Sequence, residues 1–266
     1  MAVQIAQTVP LPRPDVGALL GLPHRGAKPR RSGLTMVIDG GLPTAHLEQF
    51  LASSGNLIDF VKIGWGTALV TQDLDRKIQL LDSARIDYYF GGTLFEKFAQ
   101  RADVDEYIAF CESWSCRFVE VSNGTLEMSN TEKARHIERL SRHFAVISEV
   151  GFKDSTRAEL MGPTEWAAAI HQDLDAGARY VITEARESGR SGLCSLDGKV
   201  RGDVLDEVLA SGVNPADLIF EAPNKELQVY FVRGFGSAVN VGNVAPGDVI
   251  ALETLRLGLR SDTFDI

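Results

Sequence analysis

Three cysteines in 266 residues, at positions 111, 116 and 194, are too few for a disulfide framework, and they favour a reducing, cytoplasmic setting over secretion. No run of about 18 apolar residues is present, which removes a membrane-spanning helix. The amino terminus lacks the apolar core of a secretory leader. A phosphate-binding loop is absent, and Gly64-Trp65-Gly66-Thr67-Ala68-Leu69 carries Leu69 where a dinucleotide fingerprint needs its third glycine. Positive charge is also short: 27 Lys+Arg face 36 Asp+Glu, a formal net charge of −9. Through Gly33 five basic residues oppose Asp15, a local +4, so the remainder carries 22 basic against 35 acidic residues, or −13. A body that acidic repels nucleic acid. The five histidines are poorly placed for zinc or for a Ser-His pair, with His24 near the amino terminus and His46, His136, His143 and His171 in predicted helices.

Residues 1–33, with Pro10, Pro12, Pro14, Pro23 and Pro29 and little periodicity, read as a loosely ordered arm. From Leu34 to residue 266 short β-rich runs alternate with segments whose apolar residues return every three or four positions. The runs are Leu34–Asp39, Phe60–Ile63, Tyr88–Phe90, Phe118–Val121, Val146–Val150, Tyr180–Thr183, Leu218–Phe220 and Ala238–Val241. The polar residues that mark the strand ends recur about every 29 residues, the length of one strand with its return helix. Eight such units predict a single α/β domain, a closed (β/α)8 TIM barrel, since parallel strands buried on both faces are continuously apolar.

Residues at the carboxyl ends of barrel strands converge on one mouth. Here those ends carry Asp39, Lys62, Glu120, Glu149 followed by Lys153, Glu184, Glu221, and Asn240 with Asn243. So many charges in one mouth need counter-charges or a cation, and oxygen ligands without thiolate or imidazole suit a hard ion, Mg²⁺ first. With no histidine at hand, acid–base work falls to a lysine or a glutamate. Arg186 and Arg190, flanking Ser188 and Gly189, are candidates to clamp a phosphate or carboxylate, or else form a solvated turn. Asn240 and Asn243 follow the last strand, a region where many barrels bind phosphate.

Thr35-Met36-Val37-Ile38-Asp39, Phe60-Val61-Lys62-Ile63-Gly64-Trp65-Gly66-Thr67, Gly91-Gly92-Thr93-Leu94-Phe95-Glu96, Glu149-Val150-Gly151, Arg186-Glu187-Ser188-Gly189, Phe220-Glu221-Ala222-Pro223 and Leu252-Glu253-Thr254-Leu255-Arg256 together resemble the phosphosulfolactate synthase family. Plant heat-stress-associated proteins look similar as well. The resemblance runs from about residue 34 to the end and touches every βα unit. It implies a Mg²⁺-dependent barrel enzyme that adds sulfite to phosphoenolpyruvate, giving (R)-2-phospho-3-sulfolactate, an early step toward coenzyme M. In that reading Glu120, Glu149, Glu184 and Asp39 hold or support the metal, and Lys153, or failing that Lys62, delivers a proton. Arg186, Arg190, Ser188, Glu221, Asn240 and Asn243 surround the substrate anions. A homo-oligomer is left open.

The chain departs from the family pattern at three places: Gly40 stands where a lysine is usual, Phe152 where a second lysine is usual, and Asn123 where an acid is usual. These departures make another nucleophile, or a related phospho-acid, the alternative expectation, with a non-catalytic, stress-associated role behind it.

Overall fold

The computed structural model describes residues 16–101 and 103–266. Eight parallel strands run β1 Thr35–Asp39, β2 Phe60–Ile63, β3 Asp87–Phe90, β4 Phe118–Val121, β5 Ala145–Val150, β6 Ala178–Thr183, β7 Leu218–Glu221 and β8 Val241–Val244. The helices are α1 Val16–Leu20, α2 Thr44–Ser54, α3 Leu74–Ser83, α4 Gly92–Ala99, α5 Val104–Ser113, α6 Asn130–Leu140, α7 Ser155–Leu160, α8 Pro163–Asp175, α9 Gly202–Ala210, α10 Lys225–Phe235 and α11 Val249–Arg256. The hydrogen-bonded order β3-β2-β1-β8-β7-β6-β5-β4 wraps into a nearly closed (β/α)8 barrel, as the repeating pattern predicts.

Period-2 alternation divides each strand between two cores. Val37, Val61, Val119, Val121, Val146, Val181, Phe220 and Val241 pack outward against the helices, whereas Met36, Phe60, Tyr89, Ile147, Tyr180, Ile182 and Ile219 fill the barrel interior. Phe60 lies edge-to-face on Phe118 and Tyr180, with ring centroids 4.9 and 6.2 Å apart. Two residues after an inward apolar side chain comes an inward charged one: Phe60 then Lys62, Phe118 then Glu120, Ile147 then Glu149, Ile182 then Glu184, Ile219 then Glu221. The lower interior is therefore a sealed apolar plug and the upper interior an ionic layer.

The last strand lies three residues later than the apolar run Ala238–Val241 suggests, and this displaces Asn240. Its Oδ1 accepts from the Leu34 amide (3.0 Å), and its Nδ2 donates to the Ala216 and Leu218 carbonyls (2.9 Å each), at the floor where β1 and β7 begin. Asn240 is thus a floor clasp and not a substrate ligand. Nearby, the buried Arg256 guanidinium donates to the carbonyls of Ser237, Val239 and Leu34.

Of the expected loose arm, residues 1–15 lie outside the described residues. The rest is tied down from Arg25 onward. Arg25 Nε meets Glu253 Oε1 at 2.8 Å, Lys28 donates to the Gly55 and Ile58 carbonyls, and Arg30 Nη1 meets Asp59 Oδ1 at 3.1 Å. Three of the five basic residues that mark this segment in the sequence, Arg25, Lys28 and Arg30, are thus engaged by acids and carbonyls of the barrel floor.

Between the strands and the helix layer, the fully buried Lys133 Nζ pairs with Asp173 Oδ2 (2.7 Å) and donates to the Glu149 carbonyl (3.0 Å). Removing one partner of a buried pair strands the other. Lys133→Met should lower the unfolding free energy by about 3–5 kcal/mol in urea titration, and adding Asp173→Leu should restore most of it.

Candidate active site

The ionic layer opens into a cavity of about 440 Å³, lined among others by Ile38, Lys62, Trp65, Gly91–Thr93, Glu120, Thr125, Glu149, Lys153, Glu184, Arg186, Glu221 and Asn243. Lys62 occupies its centre. Its Nζ lies 3.0 Å from Glu120 Oε2, 3.2 Å from Glu149 Oε2 and 3.6 Å from Glu221 Oε1. Burial works against this ammonium, but Glu120, Glu149 and Glu221 outweigh it and hold its pKa well above the ordinary value. Lys153 stands on the cavity wall, 3.4 Å from Glu149 Oε1 and 3.9 Å from Glu184 Oε2, with its side chain 29% exposed against 8% for Lys62. Its pKa too is raised, because Glu149 and Glu184 overcome the effect of burial.

The carboxyls divide the charge unequally. Burial raises each of them, but Lys153 and Lys62 reverse this at Glu149, which stays far below the usual carboxylate range. Glu120 is pushed up to about 7 by burial and by Glu149, against the pull of Lys62. Glu184 goes well above its ordinary value through burial, Glu221 and Glu149. A protonated carboxyl between two others is the low-energy arrangement when several acids share a dry site. Further donors hold the acids in place: Gly92 N on Glu120 (2.5 Å), Ala185 N on Glu221 (3.0 Å), Asn243 Nδ2 on Glu221, and Arg186 N on Glu184 (2.5 Å).

Lys62, Lys153, Glu120, Glu149, Glu184, Glu221, Asn243 and Arg186 thus meet at one cavity. Arg186 sits at the rim, largely exposed, its Nη1 donating to the Lys153 carbonyl (3.1 Å). Ser188 and Arg190 do not join them. Both are exposed outside the lining, since Gly189, in a left-handed conformation, packs against Asn224 and Leu227 and anchors the turn beside α10. Asp39 is also diverted: Oδ2 pairs with Lys77 Nζ (2.6 Å), while Oδ1 accepts from the Gly41 and Leu42 amides. With those partners it fastens the first βα turn rather than a metal. Thr93 and Thr125 line the cavity without having been singled out individually; the signal for the first was the Gly91-Gly92 pair, which lets a helix start approach the mouth.

The three departures fall differently. Asn123 donates to Met128 O and Asn130 Oδ1 within its own loop. Phe152 carries the Arg157 guanidinium on its ring at 4.1 Å, outside the cavity lining. Gly40 alone bears on the mouth, because Trp65, itself with φ +51°, lays its indole where a residue-40 side chain would begin: a Cβ there would stand 2.3 Å from Cζ3.

Among the described residues no group of three His, Cys, Asp or Glu side chains is arranged to hold a metal ion by itself. Yet Glu120 Oε2, Glu149 Oε1, Glu184 Oε2 and Asn243 Oδ1 are buried without a well-aligned hydrogen bond, the three carboxylate oxygens facing only the ammonium groups of Lys62 and Lys153. Hard oxygens of this kind suit Mg²⁺, which is usually held through one or two carboxylates plus water and substrate oxygens. The donor set therefore fits a magnesium ion shared with a bound anion.

A family model described as (2R)-phospho-3-sulfolactate synthase matches residues 23–262. A phosphosulfolactate synthase of Bacillus subtilis (strain 168) is 49% identical over 245 residues, covering 92% of this chain and 97% of the relative. One of Methanocaldococcus jannaschii is 44% identical over 236 residues, covering 87% and 94%. Among solved structures, the YdjI aldolase of Escherichia coli K12 superposes with a TM-score of 0.54 at 10% identity, covering 83% of this chain and 78% of that one. A phosphonopyruvate hydrolase in complex with oxalate and Mg²⁺ does so at 0.52 and 14%, covering 82% and 77%. At those identities the likeness concerns the fold alone. No helix among the described residues is long and apolar enough to cross a membrane.

The Gly40–Trp65 contact is open to direct test. Gly40→Ala should displace the indole, costing about 1–3 kcal/mol as an overpacked site and shifting tryptophan emission, and Trp65→Ala in the same chain should relieve the cost.

Proposed function

The chain belongs to the (2R)-phospho-3-sulfolactate synthase family, and from that premise we propose that it adds sulfite to phosphoenolpyruvate with Mg²⁺, giving (2R)-phospho-3-sulfolactate. The observation that carries this reading is Lys153, a protonated ammonium on the cavity wall next to the acid pair Glu149 and Glu184. In the addition, the sulfur lone pair of sulfite forms a bond to the methylene carbon C3. The C2–C3 π pair moves onto C2 and its carboxylate, and a proton then forms the new C2–H bond. Lys153 is the donor in this scheme, recharged from solvent at the rim. Its raised pKa keeps it protonated at neutral pH, and transfer to a carbanion next to a carboxylate is still downhill. Lys62 is too enclosed by carboxylates for that task and acts as the fixed counter-charge of the site.

Glu149 and Glu184, with Glu120 behind them, are the residues that would hold Mg²⁺. Bound there, the ion would supply positive charge for the phosphate and for the carboxylate on which electron density accumulates. Arg186 at the rim is placed to meet the phosphate or sulfonate. With Lys62, Lys153 and Arg186 as the cations lining the cavity, two anions are accommodated only if a metal offsets the glutamates. Gly40 favours a second reading, in which phosphoenolpyruvate is retained but a nucleophile less charged than sulfite enters beside Trp65.

Incubation with phosphoenolpyruvate, sulfite and Mg²⁺ should yield phosphosulfolactate by mass spectrometry. Intact phosphoenolpyruvate binding without product would transfer the reading to another nucleophile. Lys153→Ala should lower kcat by about 10²- to 10⁴-fold while leaving phosphoenolpyruvate affinity within a few-fold, and wild-type turnover would remove it as the acid. Because Glu120 keeps its proton up to about 7, protons compete with the metal below that pH. The Mg²⁺ concentration for half-activation should therefore rise as pH falls from 8 to 6, and a flat dependence would separate Glu120 from the metal.

A further inference from the structure

One seam of the barrel has no strand ladder: β3 and β4 are the two ends of the hydrogen-bonded order. Low in the seam Phe60 of the neighbouring β2 packs on Phe118 of β4 with ring centroids 4.9 Å apart, and the Tyr88 hydroxyl of β3 donates to the Trp114 carbonyl at the end of α5 at 2.6 Å. At the mouth the joint is made by α4 instead. Gly92 N, on the β3 side, donates to Glu120 Oε1 on β4. One turn later Glu96, 4% exposed, accepts from the Ser122 hydroxyl (2.5 Å), from the Thr125 amide (2.9 Å) and from the Leu126 amide. All three donors belong to the opposite lip, and no Lys, Arg or His among the described residues forms an ion pair with Glu96. The lips touch closely enough that a Cβ on Gly92 would fall 2.3 Å from Ser122 Oγ and 2.7 Å from Glu120 Oε1. Their spacing fixes two contacts of the active site: Lys62 with Glu120, and Lys153 with the Thr93 hydroxyl at 3.3 Å.

We propose that Glu96 is a positioning residue that closes the unladdered β3–β4 seam at the mouth, holding Glu120 and Thr125 against the first turn of α4. The proposal rests on the reading of this cavity as the site of turnover. A buried carboxylate with three donors on the opposite lip does for this seam what a strand ladder does for the other seven. Where reacting groups must be held to a fraction of an ångström, loosening it reaches the chemistry without removing any reacting group.

Glu96→Gln keeps the size of the side chain but sets an amide NH2 against donor groups, and Ser122→Ala removes one bond from the other lip should the first variant fold poorly. Hydrogen exchange should quicken about tenfold or more in residues 91–99 and 118–128, and little elsewhere. In the same variants kcat should fall about 10- to 100-fold with KM nearly unchanged. In a Glu120→Gln background Glu96→Gln should cost less than about twofold more, since it acts through Glu120. Unchanged exchange at the seam overturns the proposal, as do faster exchange with wild-type kcat and full additivity with Glu120→Gln. If the wild-type chain makes no phosphosulfolactate, it is the reaction assignment that fails. Exchange then decides the seam by itself: faster exchange confined to residues 91–99 and 118–128 supports the proposal, and unchanged exchange there overturns it.

Discussion

Everything above the apolar plug is organised around one buried ammonium. Lys62 sits inside a barrel where an unpaired charge would cost far more than a folded domain can spare, so it requires carboxylates, and the carboxylates in turn require it. Three of them crowd within 3.6 Å of its nitrogen. That crowd exceeds what one lysine can neutralise, and the surplus is handled by Lys153 and by main-chain amides, while burial and the neighbouring acids raise the pKa of Glu184.

The apolar plug makes this chemistry possible. Tyr89, Phe60 and the isoleucines of β5, β6 and β7 close the barrel from below, so the ionic layer is reached from the mouth. Arg256, Asn240 and the basic strap around Arg25 and Arg30 then satisfy the floor carbonyls that the strand starts leave open. The same residue types therefore serve opposite ends of the molecule in opposite ways. Basic groups at the floor are fully engaged in structure, and basic groups at the mouth are held in reserve by acids that a substrate or ion can recruit.

How much of this was legible in the sequence follows from the range of each interaction. The barrel was readable because β-rich runs and helical periodicity are local and repeat eight times, and the inward charges were readable because each follows an apolar inward residue by two. Asn240 was misplaced since its neighbourhood, Ala238-Val239-Asn240-Val241, looks like a strand end, whereas its partners Leu34, Ala216 and Leu218 are far along the chain. Asp39 was misread for the same reason: nothing near it announces Lys77, 38 residues on. Arg190 and Ser188 depended on the direction of a glycine turn, which a Gly in the sequence permits without specifying.

The sign of the net charge illustrates the difference between a total and a distribution. A body of −13 argues against any polyanion, yet small anions enter a cavity and not a surface. What they meet is set by the polar and charged side chains gathered there, not by thirty-five acids. Within that cavity the glutamates are held in place by Lys62, Lys153 and fixed amide dipoles, which keep their orientation when charge builds up on a bound molecule. An acidic lining is then no obstacle to anion chemistry. It is the means by which two ammonium groups, Lys62 and Lys153, are kept in one cavity, where their mutual repulsion would otherwise drive them apart.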